Sequence, residues 1–262
     1  MVIQFLCARY PQYFTLSEDK LWLENKILGV RAEIRAKHPL LILLDHVPED
    51  FAIMLRDPET GRYVLRAGII CSAIGWSIEN KIGLPLHEIH QDVPDYKQKM
   101  QFSMDRYFSK MPTDKPIQRA SWELKVDQPL YMPPKDPRSA YQDEKLTRSR
   151  VHLRVDWQTL RRLPLSGGIA FNFKTFFTPI EEFRDEPYVP SLLLQVLRCG
   201  NENLLKYKGT WPTEHVVIPT LKEFEQEQKE TGLMEKDWQI QTLTESPWFP
   251  GWERKWHAQQ GF

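Results

Sequence analysis

The chain has 262 residues and 41% of them are hydrophobic, which suits a globular protein with a real core and excludes a disordered one. Lysine plus arginine balance aspartate plus glutamate at 35 each, so no global basic field exists to hold nucleic acid. The three cysteines, Cys7, Cys71 and Cys199, lie far apart with no CxxC pair. That excludes a disulfide framework and a zinc site, and suits a reducing, cytoplasmic compartment.

In chain order, "MVIQFLCARYPQYF" (1–14) opens directly in apolar, helix-like sequence with no N-cap, as though the chain began inside a longer element. No signal peptide is visible. The longest aliphatic run, "PLLILLD" at 39–45, is about a third of the roughly 20 residues of a spanning helix, so no membrane span is expected. After the turn "DPETG", the stretch "GRYVLRAGIICSAIGW" (61–76) is rich in β-branched and aromatic residues and reads as a strand.

"HEIHQDVPDYKQKM" (87–100) carries His87 and His90, an acidic turn with a proline, and the start of a helix. Met100, Met104, Tyr107, Phe108 and Met111 recur on one face of that helix. "IQRASWELKV" (117–126) alternates as a strand, with Ala120, Trp122 and Leu124 on one face and Arg119, Ser121 and Glu123 on the other. Residues 130–149 are polar and proline-bearing and read as a surface excursion. "VHLRVDWQ" (151–158) alternates again, Val151, Leu153, Val155 and Trp157 against His152, Arg154, Asp156 and Gln158. "LRRLPLSGG" turns the chain and "IAFNFKTFF" (169–177) is a second strand, which predicts an antiparallel pair.

Helices follow. One covers 191–200 and stops at Gly200; another covers 220–232, with a capping box of Thr220 and Glu223 and a stop at Gly232. The tail holds Trp248, Trp252 and Trp256 at helical spacing, although Pro250 and Gly251 argue against a regular helix. An apolar strap is the preferred reading there, a docking surface the sharper one. The fold class is α+β: an antiparallel sheet of about five strands with helices on its edges and one face, in a single domain over 1–262 with a helical, Trp-rich extension from about 187.

The familiar catalytic motifs GxSxG, HExxH and the P-loop are absent, and "LSGG" (165–168) is too short for a dinucleotide fingerprint. What remains is a polar constellation of His87 and His90, Arg119, and Arg154, Asp156, Gln158, Arg161 and Arg162. An imidazole with several guanidiniums suits an anionic ligand or a metal macrocycle that carries carboxylates. On the residues alone, a hydrogen-bonded loop histidine is the commoner outcome for His90, and solvated charges are the commoner outcome for Arg161 and Arg162.

Five blocks occur in order over roughly residues 40–262: "KIGLPLHEIHQDVPDYKQKM", "SMDRYF", "PIQRASW", "LRVDWQTLRRLPLSGGIAFNFKTFFTP" and "YKGTW". They resemble the haem-dependent oxidative N-demethylase family, whose fungal members are the HRQ-type proteins. The most specific are the His90-x-x-Val93-Pro94-x-Tyr96 turn and the run from Gln158 to Pro164. The resemblance implies a PAS-like curved sheet holding haem b, and oxidative removal of a methyl group from a small secondary amine with release of formaldehyde. It also implies, for bacterial versions, a flavin and iron–sulfur reductase partner that uses NADPH.

Carried onto this chain, the resemblance makes His90 the axial iron ligand, with His87 its rival. It pairs Arg161, Arg162 and Arg154 with propionates, where planar bidentate geometry favours arginine. It puts Arg119 and Trp122 in the pocket lining and Phe171 and Phe173 beside the macrocycle. An axial imidazole must be neutral with its other nitrogen held by an acceptor, here Asp92, Asp95 or a backbone carbonyl of the same turn. Departures from the pattern are Asp92, where many relatives have proline, and Asp156-Trp157, where bacterial relatives have Glu-Arg. An N-terminal region of several dozen residues, present in relatives, is also expected to be missing. Two other readings stand beside the enzyme: a non-catalytic haem-binding PAS-type sensor or carrier, and a degenerate haem-free scaffold.

Overall fold

The structure is a computed structural model that describes residues 1–241 and 251–260. The chain opens with helix α1 (Val2–Arg9), none of whose residues is buried. A small antiparallel sheet of β1 (Phe14–Leu16), β2 (Trp22–Asn25) and β3 (Val30–Glu33) follows. Only Leu23 and Asn25 of β2 are buried, so these short strands carry too little apolar alternation to announce themselves in the sequence. The aliphatic run forms helix α2 (Pro39–His46), with proline in its first turn and the His38 ring accepting from the Leu40 N–H.

The main sheet contains β4 (Asp50–Arg56), β5 (Tyr63–Ile69), β6 (Ile117–Val126), β7 (Val151–Arg162) and β8 (Ile169–Pro179) in the order β5-β4-β8-β7-β6, every neighbouring pair antiparallel. The α+β class and the five-stranded antiparallel sheet are as expected, and the strand order is compatible with a PAS-like sheet. β6 spans the predicted residues. β5 ends at Ile69 rather than continuing to Trp76, because the Asp50 carboxylate accepts the Cys71 and Ser72 N–H groups at 2.9 and 2.8 Å and draws the chain out of the ladder. β7 runs on to Arg162, so Arg161 and Arg162 belong to a strand and not to a turn. The reversal is confined to Leu163–Gly168, with Gly167 at φ +66°.

Register sorts the strand faces. On the inner face, Ile117, Leu160 and Phe171 share a row, then Arg119, Gln158 and Phe173, then Ser121, Asp156 and Thr175, then Glu123, Arg154 and Phe177. The apolar end of this face is covered by α3 (Leu86–Ile89) and α4 (Gln101–Lys110), and their Leu86 and Phe108, with Met111 just after α4, join Ala52, Met54, Leu160, Ile169 and Phe171 in one core. Tyr96–Met100, just before α4, form a π-helical turn. Its wider turn shifts the helical phase, so Met100 is 40% exposed while Phe108 and Met111 are buried as expected.

The outer face packs against α5 (Val189–Cys199), α6 (Glu202–Lys208) and α7 (Trp211–Thr231), with Leu124 and Val151 of the sheet meeting Leu194, Val217, Leu221 and Phe224. α5 stops before Gly200, where a Cβ would lie 2.5 Å from the Val196 carbonyl oxygen. α7 ends at Gly232 in the left-handed conformation, as expected, but begins at Trp211 and not at Thr220. The predicted capping box is therefore absent. Pro219 lies inside the helix, Thr220 donates its hydroxyl back to the Val216 carbonyl at 2.8 Å, and Glu223 pairs with Arg148 and Arg184.

Residues 130–149 do run over the surface, pinned by the buried Met132, Asp136 and Leu146. In the tail, Gly251 precedes helix α8 (Trp252–Gln260) rather than interrupting it. Lys255 ties α8 to the body through the Glu186 carboxylate at 2.8 Å and the Glu182 carbonyl at 2.7 Å. Trp248 and the side chain of Trp256 lie outside the described residues, and with them the strap expectation. No helix of the described residues is long and apolar enough to cross a membrane.

Candidate haem-binding site

His90 ends α3, and the chain reverses immediately after it. The Val93 N–H bonds the His90 carbonyl at 3.0 Å, and the Tyr96 N–H bonds the Val93 carbonyl at 3.2 Å. Pro94 disfavours the helical region for the residue before it, and Asp95 takes the left-handed conformation at φ 59°, which aspartate tolerates better than most residues. The reversal lays the Tyr96 ring on the His90 imidazole, centroids 4.9 Å apart and planes 8° from parallel.

The His90 Nδ1 lies 2.7 Å from the Leu86 carbonyl oxygen. A carbonyl only accepts, so Nδ1 carries the proton and Nε2 keeps its lone pair. No hydrogen bond engages Nε2 among the described residues. Burial pushes the imidazole below its ordinary pKa; the Leu86 bond opposes this, and the charges of Arg119 and Lys81 add to it. The ring is thus neutral at neutral pH, oriented by an acceptor, with a free donor nitrogen. The acceptor is a backbone carbonyl and neither aspartate: Asp92 is exposed, 4.0 Å from Lys81 Nζ, and Asp95 pairs with Lys99 at 2.6 Å. His87 lacks this arrangement. Its Nδ1 is buried with no hydrogen-bond partner and its Nε2 faces Glu88 at 3.7 Å.

Arg119 comes from the neighbouring β6. Its Nε donates to Gln158 Oε1 at 2.6 Å, and burial lowers its pKa. No carboxylate pairs with it among the described residues. In the same row beyond Gln158 stands Phe173, stacked on Phe171 with centroids 5.7 Å apart. The partly buried Ile117, Met104 and Tyr107 pack against the same core. Tyr96 is 3% exposed and its hydroxyl has no hydrogen-bond partner. Burial, with help from the Asp105 charge and against that of Arg119, pushes the phenol up to about 12.

Other predicted site residues lie elsewhere. Arg154 is enclosed, and its five N–H donors are spent on Asp156, Thr175 and the carbonyls of Pro129, Leu130 and Ser72, so it has none left for a propionate. Arg161 is exposed on the outer face of the sheet. Arg162 donates to the carbonyls of Ser109 and Met111 at 3.2 Å, closing the end of α4. Trp122 is on the face opposite Arg119 and packs against the second core. A cleft of about 700 Å³ lined by Tyr63, Leu86, Phe102 and Phe108 contains neither His90 nor Arg119. What sequence reasoning missed is Tyr96. The motif names it, but only the fold leaves its hydroxyl buried and unpaired.

The arrangement offers one oriented neutral imidazole, neighbouring aromatic side chains, and a half-buried cation without an acid. No three His, Cys, Asp or Glu side chains among the described residues converge as a cage for a bare ion. A porphyrin brings its own nitrogen ligands and asks the protein for an axial donor, apolar walls and partners for its carboxylates. His90 and Arg119 fit those demands, and Phe173 supplies an apolar neighbour in the Arg119 row, whereas Phe171 is buried in the core against both Phe108 and Phe173.

A family model described as haem-dependent oxidative N-demethylase, alpha subunit-like, matches residues 1–218. The match reaches back to the first residue and stops within α7, whereas the motif blocks had suggested about 40 to 262. With most of its length matched, the chain belongs to the haem-dependent oxidative N-demethylase alpha subunit-like family.

Proposed function

We propose that this protein is a haem b oxidoreductase that removes a methyl group from a small secondary amine and releases formaldehyde. The observation that carries the reading is the His90 imidazole, its Nδ1 proton committed to Leu86 and its Nε2 uncommitted. His90 would hold the iron through Nε2, Phe171 and Phe173 would supply apolar lining, and Arg119 would supply a polar partner. Bound haem supplies the redox-active iron. The chain supplies ligation, a dry apolar wall and a fixed tautomer, which keeps the ligand basic. Electrons are exchanged with a partner, and a flavin and iron–sulfur reductase using NADPH suits the family. The free cysteines Cys7, Cys71 and Cys199 suit a cytoplasmic setting. We take residues 1–262 as one haem-binding domain with a helical extension from about 187.

A second reading is a haem-binding module without turnover. It is favoured by Asp156, at the place of the bacterial relatives' glutamate. Asp156 commits its Oδ1 to Arg154 and Thr175 at 3.0 and 2.8 Å, which ties the side chain to the sheet.

The test is an absorbance titration of the purified chain with haemin, beside His90→Ala, followed by formaldehyde detection with dimethylamine. A Soret band saturating at one haem per chain and lost or shifted in His90→Ala, with amine-dependent formaldehyde, is the expected result. A band indifferent to the substitution moves the iron to His87 or elsewhere. Haem without formaldehyde favours the second reading, and no saturable band overturns both.

A further inference from the structure

Tyr96 closes one of the chain's two most specific motifs, yet iron ligation by His90 makes no use of its hydroxyl. A π-helical turn and a left-handed aspartate place the ring where it is. Such local departures from regular backbone are kept where a side chain must be aimed. The stack on His90 explains the ring but not the oxygen, since phenylalanine would stack equally well. A buried hydroxyl with no partner is costly, and native proteins rarely keep one without use.

Arg119 has the same deficit. Its Nε is spent on Gln158, and no hydrogen bond engages the rest of its guanidinium among the described residues. Arg119 stands on the inner face one row from Ile117, which packs against the core closed by α3 and α4, and Tyr96 lies between those two helices, so the two groups share one neighbourhood; the charge of Arg119 also acts on Tyr96 and on His90. Both are donors at neutral pH, one of them cationic. A neutral donor beside a guanidinium calls for an anionic acceptor with more than one oxygen, that is, a carboxylate.

We infer that the Tyr96 hydroxyl and the Arg119 guanidinium together hold a carboxylate of the group whose metal His90 ligates. This rests on the haem reading above. The role passes to them because Arg154, Arg161 and Arg162 are committed or turned away. Tyr96 is then a binding residue through its oxygen and a positioning residue for His90 through its ring.

The test compares haemin with haemin dimethyl ester, whose carboxylates are blocked, on wild type, Tyr96→Phe and Arg119→Met, read as Soret titrations with thermal melts to verify folding. Each substitution is expected to weaken haemin binding by about 10- to 100-fold, the range for a hydrogen bond to a charged group. The double variant loses less than the product of the two. The ester binds wild type about as weakly as haemin binds the variants, and the substitutions change ester binding little. His90→Ala weakens both ligands. Equal losses for haemin and ester in Tyr96→Phe, or no loss, overturn the carboxylate pair while leaving the haem reading intact. No saturable band for wild type with either ligand overturns the haem reading and the pair with it. Tyr96→Phe removes one oxygen and keeps the stack, so it decides the matter even if Arg119→Met fails to fold.

Discussion

Two arginines point from the same face of the same sheet, Arg119 on β6 and Arg154 on β7, two rows apart. Arg154 is 1% exposed and satisfied at every donor, by a carboxylate, a hydroxyl and three carbonyls drawn from loops 72 and 129–130. Arg119 is half-buried and holds one glutamine oxygen. Both are desolvated guanidiniums among aromatic residues, and the sequence offered both as anion ligands. The difference lies in hydrogen bonds left over. A saturated buried charge is architecture; an unsaturated one, in the neighbourhood of an unpaired phenol and a free imidazole nitrogen, marks the candidate site.

The largest effect that would sharpen this contrast is on Arg154. Arg154→Met strips partners from Asp156 and from three carbonyls, and should cost about 3–5 kcal/mol of folding free energy. Urea unfolding measures it, and haemin affinity at temperatures where the variant stays folded should be unchanged. Arg119→Met should do the reverse, with a smaller change in stability of about 1.5–3 kcal/mol, the range for one hydrogen bond to a charged group, and a large loss of haemin affinity. If Arg119→Met proves the more destabilising of the two, the contrast fails.

An intermediate effect concerns pH. Burial holds His90 below the ordinary imidazole value of 6.5. Between the folded value and 6.5 the unfolded chain binds more protons than the folded one, so stability rises with pH through that window. The contribution is complete above the window and lost as pH falls through it. Urea midpoints measured from about pH 5 to about pH 7.5 should therefore climb in wild type and climb less in His90→Gln. An identical slope in the two proteins would remove His90 as its source. The smallest effect belongs to Arg161→Gln. This exposed outer-face residue should change neither haemin affinity nor stability by more than about 0.5 kcal/mol. A measurable loss of haem binding there would return the propionate role to β7.

Legibility varied along the chain for identifiable reasons. β6 was read to the residue because polar and apolar side chains alternate cleanly between Ile117 and Val126. β4 went unread although it is central to the sheet. Its "DFAIMLR" is covered on both sides, so it shows a short apolar run instead of alternation. The false start of α7 came from Pro219, which reads as a boundary but is accommodated inside the helix while Val217, Leu221 and Phe224 pack on both sides of it. In β7 the two faces were legible, but not which face would be buried; the polar row with Arg154 and Gln158 went inward and Trp157 outward.

By itself the sequence determined the strand period of the three long strands, the tight His90–Tyr96 reversal and the family, because each is written in near-neighbour residues and their spacing. Tertiary structure alone decided which cations were already spent and which nitrogen of His90 was free. It also decided that the Tyr96 hydroxyl would be buried with nothing to bond. The cations depend on partners tens of residues away, Gln158 for Arg119 and Ser72, Pro129 and Leu130 for Arg154, while His90 depends on the fold of its own turn, which brings the Leu86 carbonyl to Nδ1. A donor's satisfaction is a property of the packed neighbourhood, which no local pattern encodes.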